Sequence, residues 1–117
     1  MPWPTENIPS EDKVFKRIPP GHCPGGVIAP IAFKDPELSV NWNKYATAEQ
    51  TKNQAAVRPE RYGVVSLSVG NIREMPSQQV NHRPLNENQA HSQVEGQKDE
   101  EIRLKLCGLS HWEIQTP

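Results

Sequence analysis

Apolar residues recur at every second position in several short stretches of this chain and only rarely at helical spacing, so the pattern predicts mostly strands. The clearest is Tyr62-Gly-Val-Val-Ser-Leu-Ser-Val69, with Val65, Leu67 and Val69 on one face and Val64, Ser66 and Ser68 on the other; Gly70 ends it. Leu38, Val40 and Trp42 alternate with polar residues over 38–42, and 78–82 and 90–95 read as two more strands joined by the turn-rich segment 84–89. Residues 13–18 form a further candidate strand. The apolar run 27–33 is broken by Pro30, which removes a ladder donor and demotes the run to an edge or a loop. A helix is expected near 45–56, where Thr47 and Gln50 fit a capping box and no Gly or Pro follows until Pro59. Asn71 is placed to cap one helical turn ending at Met75.

Residues 99–108 fit both periods. Ile102, Leu104 and Leu106 alternate as in a strand, whereas Ile102, Leu106 and Leu109 fall at helical spacing. Asp99 at a cap, acidic residues in the first turn, Lys105 near the end and Gly108 just past it favour a helix over 99–107, with a last strand near 111–115. The expected architecture is α+β: a small antiparallel sheet from 38–42, 62–69, 78–82, 90–95 and 111–115, one face covered by about two helices near 45–56 and 99–107. An all-β fold is the alternative if 101–107 is a strand.

Proline changes the picture at the front of the chain. Eight of the 12 prolines fall in the first 36 residues, which forces extended or turning backbone there. The expected division is a Pro-rich arm over 1–36, packed on the body or a neighbour, and a single α+β domain over 37–117. Leu, Ile, Val and Phe together number 24 of 117, near the roughly 20% below which chains often stay disordered, although the net charge of -1 argues against disorder. A thin core with long irregular connections follows.

Charge adds exclusions. Residues 1–58 carry 7 basic against 6 acidic residues and 59–117 carry 6 against 8, so neither half is an electrostatic footprint for nucleic acid or an anionic membrane. No stretch approaches the roughly 18 apolar residues of a membrane span, and the opening residues lack the basic and apolar regions of a secretory signal. The expectation is a soluble, cytoplasmic protein in which Cys23 and Cys107 are reduced thiols rather than a disulfide.

Four groups of residues carry candidate chemistry. The loop Gly21-His-Cys-Pro-Gly-Gly26 has the only adjacent His and Cys, but it lacks the Lys-Ser/Thr of a phosphate loop and reads as a Pro/Gly turn. His22, Cys23, Cys107 and His111 are metal-ligand types, yet adjacent residues rarely converge on one ion, so no metal site is assigned. His82, Arg83, His91 and Glu95 could supply a base, an acid and a cation for a small hydrolase or nuclease. Register decides against them: opposing Val80 to Val94 places His82 across from Ser92 and sends His82 and His91 to opposite faces. Finally Trp3, Phe33, Trp42 and Trp112 are either core anchors or contact surface.

The segments Ala32-Phe-Lys-Asp-Pro-Glu-Leu-Ser-Val-Asn-Trp42, Tyr62-Gly-Val-Val-Ser-Leu67, and Asn88-Gln-Ala-His91 with Val94-Glu-Gly96 resemble short stand-alone bacterial proteins of unassigned function. The resemblance implies a bacterial cytosolic protein of the accessory or mobile-gene kind and brings no activity, cofactor or site. The reading that results is a non-catalytic binding or protein-interaction module without a cofactor, self-associating or contacting another protein through Trp3, Phe33, Trp42 and Trp112. The rivals are the His82, Arg83, His91 and Glu95 enzyme and a small-ligand binder with an apolar pocket under the sheet.

Overall fold

The computed structural model describes residues 3–117; Met1 and Pro2, the first two positions of the expected arm, lie outside the described residues. Six antiparallel strands form one open sheet in the order β4-β5-β2-β1-β3-β6: β1 (Lys13–Ile18), β2 (Glu37–Trp42), β3 (Gly63–Ser68), β4 (Gln79–His82), β5 (His91–Glu95) and β6 (His111–Ile114). Three helices accompany them: α1 (Ala48–Asn53), α2 (Val69–Arg73) and α3 (Glu100–Leu109). The fold is α+β, as the strand periods and helix caps predict.

Strand pleating puts Val14 and Ile18, Leu38, Val40 and Trp42, Val65 and Leu67, Val80, and Val94 on one face. That face is the core. It is closed by Val69 and Ile72 of α2, Met75 just beyond it, Ile102 and Leu106 of α3, Ile8 of the leading segment, and Ala32 and Phe33. The helix near 45–56 is not among its covers. Arg17 and Asn41, both on the second face, hydrogen-bond to Thr51, so α1 crosses the side opposite α3.

The boundary expected at residue 36 does not divide the fold. β1, assigned from sequence to the arm, is an interior strand that pairs with β2 on one edge and with β3 through six residue pairs on the other. Val14 and Ile18 reach full burial only in that interior position. Five of the eight prolines follow β1: short 3-10 turns at Pro20–His22, Pro24–Gly26 and Pro30–Phe33 each begin with one, where its missing N–H costs nothing. These turns fold the chain back beneath the sheet and carry Phe33 against the core beside α3.

The leading segment is stapled along the edge strand β4. Arg73 on α2 donates through Nη1 to the Ile8 carbonyl (2.7 Å) and through Nη2 to the Val80 carbonyl (3.0 Å). The Glu6 backbone N–H donates to His82 Nδ1 (3.0 Å), and the Asp12 carboxylate accepts from Trp42 Nε1 (2.9 Å). Covering an edge in this way limits edge-to-edge pairing. The cap of α2 also differs from expectation: Ser68, not Asn71, is the N-cap, accepting from the Asn71 N–H (3.2 Å), because the helix starts directly from the last residue of β3.

One residue breaks the pattern of the core face. Lys16 lies between Val14 and Ile18 on it, opposite Val65, and burial pushes its amine down to about 8 against a weaker opposing pull from Asp35. Because this value lies below the ordinary 10.5, the folded state bears the full desolvation penalty below pH 8, and stability rises as pH climbs from 8 towards 10.5. Urea unfolding at pH 7.5 and 9.5 should show a gain of roughly 1–2 kcal/mol attributable to Lys16, and Lys16→Met should remove that part of the pH dependence. Equal pH slopes in the parent and the variant would contradict the assignment.

Candidate functional site

The second face of the sheet is only partly covered. Phe15 and Arg17 of β1, Ser39 and Asn41 of β2, and His91 of β5 share it by register, since Phe15 opposes Asn41 and Asn41 opposes His91. α1 rises on one side, anchored by its capping box: Thr47 Oγ1 accepts from the Gln50 N–H (3.1 Å) and Gln50 Oε1 from the Thr47 N–H (2.9 Å). The loop between β4 and β5 rises on the other, pinched by reciprocal backbone hydrogen bonds between Leu85 and Asn88 (3.0 and 3.1 Å). Between them runs a groove of about 400 Å3 with Phe15 and Arg17 in its lining and Leu85 and Glu87 on the loop side.

A carboxamide network ties the walls together. Asn41 Nδ2 donates to Thr51 Oγ1 (3.0 Å) and Gln54 Oε1 (2.8 Å), while Asn88 Nδ2 donates to Asn41 Oδ1 (2.9 Å) and Gln54 Oε1 (3.2 Å). Asn88 Oδ1 accepts in turn from the Ala90 N–H (3.2 Å). Sheet, helix and loop are therefore held in one geometry by bonds between neutral groups, which are insensitive to pH and salt. A second, more open hollow of about 420 Å3 lies on the far side of Gln54, Glu87 and Asn88.

Arg17 is the cation of the groove. Its Nη1 donates to the Thr51 carbonyl (3.0 Å), and among the described residues no carboxylate lies within ion-pair distance of it. Burial lowers its pKa, and no carboxylate among the described residues opposes this. His91 is fully engaged: Nδ1 donates to the Arg83 carbonyl (2.7 Å) and Nε2 accepts from Ser39 Oγ (3.3 Å).

Of the four residues singled out from sequence for catalysis, Arg83 contacts both His91 and Glu95, but the His82 imidazole stands apart from them. His82 is buried on the core face, its Nδ1 accepting from the Glu6 N–H and its Nε2 donating to the Gln89 carbonyl (2.7 Å), a neutral tautomer with no free nitrogen. It packs edge-on against Trp42 (centroids 5.1 Å) and stacks on Tyr45 (6.1 Å). His91 is on the opposite face, following the Val80–Val94 register that the strand pattern predicts. Arg83 and Glu95 form a surface ion pair (2.8 Å), and the guanidinium holds the Glu95 carboxyl below its ordinary range. Four residues proposed as one catalytic group thus serve a core, a loop anchor and an ion pair.

The aromatic candidates divide. Phe33 and Trp42 are fully buried and offer no contact surface; Trp112 is half-buried and Trp3 is 42% exposed. Cys23 is buried with its thiol 3.4 Å from Thr116 Oγ1, and Cys107 is on α3; both are free. Among the described residues no three His, Cys, Asp or Glu side chains cluster as metal ligands would.

Sequence reasoning passed over Arg17, Asn41, Gln54 and Asn88. The available signal was Phe15 and Arg17 together on one face of a strand whose other face carries Val14 and Ile18, which marks a face that is neither core nor plain solvent. No family model, curated protein or solved structure matches the chain.

Proposed function

We propose that the chain is a non-catalytic binding module whose ligand lies in the groove between α1 and the β4–β5 loop. The observation that carries this reading is the convergence of a partly buried, acid-free guanidinium and a preorganised carboxamide network on a 400 Å3 recess with an aromatic residue in its lining. A recess of that volume suits a small molecule, and polar groups fixed before binding reduce the ordering cost of association. Catalysis finds less support there: Ser39 Oγ and His91 Nε2 pair at the recess at 3.3 Å, but a backbone carbonyl rather than a carboxylate holds His91 Nδ1, so the hydroxyl–imidazole pair lacks the acid that would complete a triad. A protein-contact role retains Trp3 and Trp112 of the four aromatic residues. Two unpaired thiols suit a reducing cytosol, and a bacterial one agrees with the sequence resemblance. No helix among the described residues is long and apolar enough to cross a membrane.

The test is a two-dimensional amide NMR titration of the full chain with mixtures of the proteinogenic L-amino acids, common monosaccharides and short-chain carboxylic acids. Saturable shifts should gather on Phe15, Arg17, Asn41, Gln54 and Asn88. Shifts confined to α3 and residues 24–31, or none that saturate, would defeat the reading.

A further inference from the structure

The groove's hydrogen-bonding inventory is lopsided, and the imbalance identifies a ligand class. Gln54 Oε1 already accepts from both Asn41 and Asn88, which fixes the carboxamide so that its NH2 has no protein acceptor among the described residues. Arg17 uses one N–H on Thr51 and has no acid partner among the described residues; Arg73 and Lys98 also lack one, but they spend two and three hydrogen bonds on backbone carbonyls, which leaves Arg17 with more unused donors. Partial burial of a cation without a counter-charge is unfavourable unless something supplies one. The acceptor nitrogen of His91 and the oxygens of Asn41 and Asn88 are already in use. Beside the sheet, the free polar groups are therefore the donors of Arg17 and the Gln54 amide, and the acceptor left without a protein partner among the described residues is the Glu87 carboxylate on the loop side.

Resting on the groove reading above, we propose that the ligand is a small monocarboxylate with an apolar body, its carboxylate received by Arg17 and the Gln54 amide and its body lying against Phe15 and Leu85. A guanidinium matches a carboxylate with two parallel N–H donors. Lys16 and Arg17 both border the recess, but register turns the Lys16 side chain to the core face, so a single guanidinium meets the ligand and suits one negative charge; Glu87, on the loop side, opposes any anion there and a dianionic phosphate more strongly than a monocarboxylate. Leu85, 42% exposed at the rim, and Phe15 supply the apolar wall that a sugar would not need.

The probes are N-acetyl-L-leucine and its uncharged counterpart N-acetyl-L-leucinamide, titrated into the full chain at low salt with detection of backbone amides, arginine Nε–H and glutamine NH2 signals. The acid should move the Arg17 Nε–H and Gln54 NH2 resonances and bind at least about tenfold tighter than the amide, the usual scale for a hydrogen bond to a charged group. Arg17→Gln should bring the affinity for the acid down to that for the amide. The comparison of the two probes on the unmodified protein stands even if that variant folds poorly. Equal affinity for acid and amide at the groove overturns the carboxylate while leaving the groove as the site. Tighter binding of inorganic phosphate at Arg17 overturns the choice of anion. Absence of any groove shift with either probe, together with saturable shifts there from the sugars, also rejects the carboxylate, whereas no groove shift from any compound rejects the site itself.

Discussion

Replacing Lys98 by methionine should destabilise the protein by about 3 kcal/mol and lower its melting temperature by roughly 10 °C. Lys98 is 4% exposed, and its ammonium sits at the end of the β2–β5 pair, donating to the carbonyls of Gly96 (2.8 Å), Val94 (2.9 Å) and Pro36 (3.1 Å). Burial pushes its pKa down to about 8, with Asp35 and Glu95 opposing, so at neutral pH the group is still a cation with all three N–H bonds available. Methionine keeps most of the apolar stem and removes every donor. Carbonyls that had traded water for the ammonium are then left with fewer partners, at about 1–3 kcal/mol for each one orphaned. Pro36 and Val94 lose least, since the Pro36 oxygen also accepts from the Gly96 N–H (2.9 Å) and Val94 pairs with Leu38 in the β2–β5 ladder, so the Gly96 carbonyl bears most of the loss. Lys16 makes the instructive contrast: its amine is shifted the same way, but its hydrogen bond is a single one, to the Arg17 carbonyl (3.2 Å). The same substitution at Lys16 should be neutral or stabilising at pH 7, because a lost desolvation penalty outweighs one weak bond. Chemical denaturation of the two variants side by side checks this, and a Lys98→Met protein as stable as the parent would show that the carbonyl cage is without energetic weight.

That contrast also shows where reading the sequence stops. Local signals were sufficient wherever a local pattern has one physical solution. Thr47 and Gln50 cap α1 reciprocally, and Asp99 caps α3 by accepting from the Ile102 N–H (2.9 Å). Over 99–108 the two periods make different demands on Leu104: a strand would bury it with Ile102 and Leu106, and it is 53% exposed while those two are buried. The Val80–Val94 register followed from matching apolar faces, and the fate of His82 and His91 followed from the register. The position of β1 was not legible, because which strands flank Lys13–Ile18 is settled by residues more than 20 positions away. Lys16 on the core face contradicts alternation outright. The groove was least legible of all, since Arg17, Asn41, Gln54 and Asn88 are polar residues that only the crossing of α1 over the sheet brings together.

Gly96→Ala should be the most damaging single substitution in the same corner, costing about 4 kcal/mol or leaving no soluble folded protein. Gly96 closes β5 with φ of +141°, a backbone conformation open to glycine and strained for any residue with a Cβ. A Cβ built there would lie 2.0 Å from the Ser77 carbonyl oxygen and 2.8 Å from Gln78 Nε2. Neither neighbour can retreat cheaply. Ser77 already holds a left-handed φ of +67°, and Gln78 Nε2 is committed to the Gln97 carbonyl (2.9 Å). Moving the 76–78 turn would also shift β4, whose Arg73 bond holds the leading segment in place. Strain of about 1–2 kcal/mol for the positive φ therefore adds to a backbone collision that only an opening of the β4–β5 corner can relieve. Ser77→Gly is the companion variant: it relaxes the neighbouring left-handed residue and should change stability by no more than about 1 kcal/mol, in the stabilising direction. Urea midpoints for the pair, or the soluble fraction where Gly96→Ala cannot be unfolded reversibly, separate a local collision from a general intolerance of this turn. A Gly96→Ala protein within about 1 kcal/mol of the parent would mean that the turn gives way far more easily than its hydrogen bonds indicate.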